Sequence, residues 1–418
     1  MRKHIVLLAL AMCVVAKRLP AQTAVERVTT DLQYLADDRR EGRGLGTAGL
    51  DSAGQYIAAQ FGRIGLEPAT PNGYFQPFVV DSTAPVAAHM NIAGVHAKNV
   101  VGWLPGTGRL AGQVVVVGAH YDHLGYGGPF ALDPESTGVV HNGADDNASG
   151  TTALMEIARR LKDRHAPDAR AIVFIAFSGE EEGLLGSTYY VKHSVRPLDS
   201  TYAMVNLDMV GRLGTHKLTV FGTQTAKEFP ALLDSVTARD DMPFTGSGDG
   251  YGASDQESFY ADNIPVIFFF TGMHEDYHRS TDDWYKIDFP GLVHVAEVAT
   301  DVAWRLATRT GPLTLVKVER PKAAMGSPGY GAYLGTIPDM TESPGGVRLS
   351  GVRAGSPADH AGLKGGDILI ELGDKEIKNL YDMTDALRAH QPGETVVVVY
   401  LRNGQRIETK ATLGKRGQ

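Results

Sequence analysis

The chain has 418 residues, 43% of them apolar and 21% charged. That is more than one ordinary domain, and it excludes disordered and fibrous classes in favour of a folded protein with a large core. The formal charge of −8 argues against nucleic acid as a partner.

Arg2 and Lys3 precede an apolar run from Ile5 to Ala16, and Leu19-Pro20-Ala21-Gln22 follows. This is the make-up of a signal peptide (residues 1–21) with its cleavage site after Ala21. The run is too short to span a bilayer comfortably, although Lys17-Arg18 keeps an uncleaved anchor open as the alternative. The expected location is therefore secreted or periplasmic. The sole cysteine, Cys13, lies in this leader behind Met12, where a lipoprotein signal would carry a small residue. The mature chain then has no disulfide and no thiolate for a metal. Losing residues 1–21 removes Arg2, Lys3, Lys17 and Arg18 and no acid, which moves the formal charge from −8 to −12. No later stretch reads as a membrane span.

Residues 24–65 read as helical with a polar break from Asp37 to Gly44. Short apolar runs then alternate with helical patterns: Val114–Gly118, Ala171–Phe177, Ala203–Leu207, Leu218–Phe221 and Pro265–Phe270 as strands, Ala148–Leu161 and Leu292–Leu306 as helices. The alternation predicts an α/β domain over 22–309, with a mostly parallel mixed sheet flanked by helices. Residues 310–328 read as a linker. Beyond it, Val347–Val352, Ile368–Leu372, Thr395–Leu401 and Gln405–Thr412 are short strands, with an Asn403-Gly404 hairpin signal and a helix at Leu380–Ala389. They predict a small β-rich domain over 329–415.

Six metal-and-acid positions follow the first domain's runs: His120, Asp145, Glu180, Glu181, Asp208 and His278. Each has a structural alternative. Asp146 and Asn147 suit helix caps, Glu180-Glu181-Glu182 suits a solvated acidic turn, Asp208 suits a turn former, and a lone histidine such as His278 is usually structural. Taken together they place two histidines and several carboxylates at strand ends, where open α/β sheets build their sites. Histidine and carboxylate without cysteine suit a pair of zinc ions. Asp122 and Asp282 are placed to orient His120 and His278. A carboxylate among the glutamates is free to carry a proton.

These residues resemble the M28 (aminopeptidase-like) zinc peptidases across about residues 25–308. The pieces are Gly118-Ala119-His120-Tyr121-Asp122-His123, Asn142 to Gly150, Gly179 to Ser187, Asn206-Leu207-Asp208-Met209, and His278 with Asp282. The resemblance implies two zinc ions, one on His120 and Asp208 and one on Glu181 and His278. It also implies Asp145 as the bridge, Glu180 as general base and acid, and a cis peptide between Asp145 and Asp146. Tyr251-Gly252-Ala253-Ser254-Asp255-Gln256 resembles the segment in which a tyrosine donates to the oxyanion, so Tyr251 is a second catalytic candidate. Gln256 departs from the histidine common there. The sequence before His120 is too short for the protease-associated insertion of some relatives. The C-terminal module resembles a bacterial PDZ domain, with Gly331-Ala332-Tyr333-Leu334-Gly335 as its carboxylate-binding loop. That implies a groove for an extended peptide beside helix Leu380–Ala389.

The expected function is removal of N-terminal residues from peptides. A carboxypeptidase or dipeptidase is the first alternative and would need a cation such as Arg212 or Arg279 facing a substrate carboxylate. A glutaminyl cyclase would need one zinc, and a non-catalytic PDZ peptide-binding protein would hydrolyse nothing.

Overall fold

The computed structural model describes residues 22–414 apart from 83–86, 88–91, 129, 215–217, 249, 253, 318–331, 339–344, 354 and 379. The leader, residues 318–328 of the linker and Gly331 of the expected PDZ loop lie outside the described residues. Among the described residues no helix is long and apolar enough to cross a membrane.

Helix α1 (Ala24–Leu35) opens with a capping box in which Thr23 Oγ1 accepts from Glu26 N and Glu26 accepts from Thr23 N. The polar break becomes a short segment, Asp38–Arg43, that starts as a 3-10 turn and leaves helical geometry from Glu41, ahead of α2 (Ala48–Ile64). The main sheet has nine strands among the described residues: β1 (Glu67–Pro68), β2 (Phe75–Val79), β3 (His96–Leu104), β4 (Val114–His120), β5 (Ala171–Phe177), β6 (Thr201–Leu207), β7 (Leu218–Phe221), β8 (Phe244–Ser247) and β9 (Val266–Phe270). Their order is β1-β3-β5-β4-β6-β9-β7-β8, with β2 on β3. The centre, β5-β4-β6-β9, is parallel, while β3 and β7 join it antiparallel. The sheet is thus mixed with a parallel core, as expected, and β1, β2, β3 and β8 are additions to the strands read from the sequence.

Alternation along the central strands divides the core. Val115 and Val117 of β4 face one layer, packed with Val28 of α1, Phe61 of α2, Leu154 of α3 (Gly150–Lys162) and, on the C-terminal side, the helix Phe289–Thr308. Val114 and Val116 face the other, with Tyr190 of α4 (Leu185–Lys192) and Phe259 of the helix Gln256–Ala261. Every residue of β4, β5 and β9 is buried, which is why these strands read as unbroken apolar runs.

Residues 313–317, read as linker, are attached to this domain. Leu315 bridges Ala226, and Lys317 Nζ donates to the carbonyls of Tyr260 and Ala261. A second, antiparallel sheet holds Thr336–Pro338, Val347–Val352, Ile368–Leu372, Lys375–Glu376, Thr395–Arg402 and Gln405–Thr412 around its own core of Leu334, Leu349, Leu369, Val398 and neighbours. The Asn403-Gly404 turn has φ of 53° and 79°, as a two-residue hairpin demands.

Helix α1 is fastened to α3 by charge. The fully buried Glu156 accepts from Arg27 Nη2 at 2.7 Å and Arg160 Nε at 3.1 Å. Glu156→Ala would strand part-buried arginines, so we expect a loss of about 3 kcal/mol, at the low end for a broken buried pair. Urea unfolding followed by tryptophan fluorescence measures it.

Candidate metal centre

Four segments meet at the carboxyl ends of β4, β5, β6 and β9. β4 ends on His120; Glu180 and Glu181 follow β5; Asp208 follows β6; the loop after β9 reaches His278. The fifth contribution comes from the turn before α3, where Gly143 takes φ 52° and Asp146 and Asn147 leave helical geometry.

In this turn the structure corrects one expectation. Asp146, not Asp145, lies at the centre. Its Oδ1 is 3.4 Å from His120 Nε2, and its Oδ2 is 3.2 Å from His278 Nε2. Asp208 Oδ1 is also 3.4 Å from His120 Nε2, and Glu181 Oε2 is 3.1 Å from His278 Nε2. Asp145 turns the other way: Oδ1 accepts from Gly211 N at 2.7 Å and Oδ2 lies 3.1 Å from His274 Nε2. The cis peptide likewise lies one residue later than expected, between Asp146 and Asn147. Asn147 acts as a local brace, its Oδ1 accepting from Gly150 N at 2.8 Å and its Nδ2 donating to Leu207 O at 3.0 Å.

One surrounding partner also differs from that read by spacing, and one agrees. The Asp282 carboxylate is engaged elsewhere: its Oδ2 accepts from the backbone N of Asp145 and Asp146, and its Oδ1 from Arg212. His278 Nδ1 instead donates to Phe130 O at 3.0 Å, and Leu132 N donates to His278 O. That bond presents Nε2 to the carboxylates. Asp122 borders His120 as expected, its carbonyl oxygen 3.3 Å and its Oδ1 3.8 Å from His120 Nδ1, and its Oδ2 accepts from Glu181 N. His123, left unassigned by the sequence, has Nδ1 2.7 Å from Glu181 Oε1.

The donor set fits zinc. His120, Asp146 and Asp208 offer converging ligand atoms, as do His123, Asp146 and Glu181. His120 Nε2 and Asp208 Oδ1 are buried without a hydrogen-bond partner, the state of ligand atoms awaiting a cation.

Neighbouring glutamates are driven in opposite directions. Burial pushes the Glu180 carboxyl well above its ordinary range; Glu181, Asp208 and Asp255 add to this and His120 opposes it. Burial also works to raise Glu181, but His278 and His123 hold it down at about 2. Two carboxyls of opposite tendency side by side suit different tasks.

Tyr251 is buried in the apolar layer with Phe177 and Phe259, its ring edge-to-face with Tyr260 at 4.7 Å. A second tyrosine, missed by the sequence reading, lies against a candidate ligand. The Tyr277 ring stacks on His278 at 3.9 Å, and burial, reinforced by Asp146, Glu181, Glu180 and Asp208, raises its phenol well above the usual range. Its position next to His278 was the available signal.

Residues 99–303 match the family model of peptidase family M28, and residues 332–413 match that of the PDZ domain. Aminopeptidase YwaD of Bacillus subtilis is 32% identical over 213 residues, covering 50% of this chain and 43% of that protein. The chain spans about half the length of the curated relatives it matches. Among solved structures, the aminopeptidase from Aneurinibacillus sp. strain AM-1 superposes with a TM-score of 0.54 at 18% identity, covering 71% of this chain and 97% of that one. Bacteroides thetaiotaomicron glutaminyl cyclase gives 0.55 at 18%, covering 67% and 97%. Both share the fold. Residues 99–303 are a peptidase family M28 domain and residues 332–413 a PDZ domain.

Proposed function

We propose that this chain is a zinc-dependent aminopeptidase with two metal ions. The observation that carries the reading is the Asp146 carboxylate lying between two histidine–carboxylate pairs. His120 and Asp208 would hold one ion, Glu181 and His278 the other, and Asp146 would bridge them. Zinc bound there supplies Lewis acidity that polarises a peptide carbonyl and acidifies water.

The chain's own groups supply the rest. Glu180 takes the proton from water and delivers it to the leaving amine. Tyr277 and Tyr251 are the candidate hydroxyls for the developing oxyanion. His123 and the Phe130 carbonyl keep Glu181 and His278 in place. The anionic surroundings attract a free amino terminus. Arg212 is already engaged by Asp282 and Asp276, which disfavours its use as the carboxylate receptor of a carboxypeptidase. The cyclase alternative requires one ion, whereas here both ends of Asp146 face a ligand pair.

Substrate preference follows from what borders the ligands. Met209, Phe268 and Phe270 form a buried cluster with part-buried Phe221, Met273 and Tyr277, next to Asp208 and His278 in sequence. We therefore assign a large apolar N-terminal side chain to the substrate. Met273→Asp is expected to raise KM for a leucyl peptide about tenfold with kcat little changed, and steady-state kinetics tests it.

We place the peptidase domain at 22–309 with residues 313–317 strapped to it, and the PDZ domain at 329–415, where it would take an extended peptide or a protein C-terminus. The leader would direct the chain to a secreted or periplasmic location. The decisive assay compares free, N-acetylated and C-amidated peptides with and without chelator and added zinc, beside a count of metal per chain. Two zinc ions and cleavage that needs only a free N-terminus are expected. Cleavage of N-acetylated peptides from the C-terminal end, pyroglutamate formation with one zinc, or binding without hydrolysis would each select a rival.

A further inference from the structure

The polar break between α1 and α2 has no part in the proposed chemistry, yet it is joined to two of the segments that carry the candidate ligands. Arg43 is fully buried. Its Nε donates to Tyr121 O at 2.8 Å. Nη1 donates to Leu35 O at 3.0 Å and Asn142 O at 2.5 Å, and Nη2 to Gly143 O at 2.8 Å. Tyr121 stands between His120 and Asp122, while Asn142 and Gly143 lead into Asp146. One planar group therefore spans the exit of β4 and the turn before α3.

The backbone of the same segment repeats the connection. His123 N donates to Arg43 O and Gly125 N to Gly42 O, both at 3.2 Å. Glu41, Gly42 and Arg43 all take positive φ, at 50°, 56° and 50°. A Cβ on Gly42 would lie 2.4 Å from the carbonyl oxygens of Gly125 and His141, so the approach depends on glycine.

We propose that Arg43 is a positioning residue of the metal centre, fixing the separation of the His120 and Asp146 segments through its carbonyl contacts. The inference rests on the metallopeptidase reading. It follows from what the alternatives lack. A glutamine offers one amide nitrogen in place of three and would leave carbonyls among the four without a donor in a buried place. Lysine keeps the charge, but its three donors radiate from one nitrogen and do not span a planar fan of acceptors. Burial lowers the guanidinium pKa to about 10, with Asp122, Asp146, Asp282 and Glu181 opposing, so the group is cationic at neutral pH. It adds a fixed positive charge among carboxylates that repel one another.

The test uses the full chain, wild type beside Arg43→Lys and Arg43→Gln. Zinc affinity is measured by chelator competition, coordination by the visible spectrum of the cobalt-substituted protein, and folding by circular dichroism. Both variants are expected to fold, to bind zinc about 10–100-fold more weakly, and to shift the cobalt spectrum, with lysine giving no rescue. Wild-type affinity and an unchanged spectrum in either folded variant overturn the proposal. If neither variant folds, amide exchange in the metal-free wild type decides. The His123 and Gly125 amides are expected to be protected before zinc is added, and exchange at exposed-loop rates overturns the assignment. A wild-type chain that binds no zinc removes the metallopeptidase reading and this one with it; native zinc binding with unaffected variants removes this one alone.

Discussion

Glu180→Gln is expected to lower kcat by about 10²–10⁴-fold while leaving zinc content and KM near wild type. The amide keeps the shape of the carboxyl and removes only its ability to take and return a proton. Glu180 sits beside Glu181 after β5 and close enough to His120 and Asp208 to feel both electrostatically. The raised affinity of its carboxyl for protons suits a group that must hold a proton between water and the leaving amine. Glu181 is the contrast: held ionised by His278 and His123, it is suited to a cation and poorly suited to proton transfer. Glu181→Gln is therefore expected to lower zinc content first and turnover as a consequence. Metal analysis beside steady-state kinetics distinguishes the two variants. Equal loss of metal in both would remove the division of labour, and near-normal turnover in zinc-loaded Glu180→Gln would remove the general base.

β4, β5 and β9 were legible because they are buried throughout and therefore apolar along most of their length. The polar residues that close or follow the runs, His120 at the end of β4, Ser178-Gly179-Glu180 after β5 and Asp208 after β6, then mark the strand exits. β3 was missed because it mixes His96, Lys98 and Asn99 with its valines. Asn99 is buried all the same, donating to Gln76 and Gly186 O, a pairing across distant segments that no local pattern announces. The same limit applies around the candidate metal centre. Spacing suggested that Asp282 orients His278, but the acceptor is Phe130 O, 148 residues away in sequence. The PDZ strands were legible for a different reason: burial alternates along Val347–Val352, and the Asn-Gly turn fixes its hairpin.

The sharpest separation is expected between two adjacent aspartates. Sequence gives Asp145 and Asp146 the same chemistry, and only the backbone at Gly143 to Asn147 decides which one points at the histidines. Asp146→Asn leaves one carbonyl oxygen where two anionic oxygens stood between His120 and His278. The expected result is loss of the second zinc and a fall in affinity beyond the roughly 10–100-fold typical of an outer-shell partner. Asp145→Asn keeps an acceptor for Gly211 N and loses the charge facing His274. It is expected to retain two zinc ions, with affinity reduced by no more than that same range. Calorimetric titration of the metal-free chains gives both stoichiometry and affinity. If Asp145→Asn loses an ion while Asp146→Asn keeps two, the bridge belongs to Asp145. Similar losses in both would mean that the pair shares the site, with His274 drawn toward the metals alongside His278.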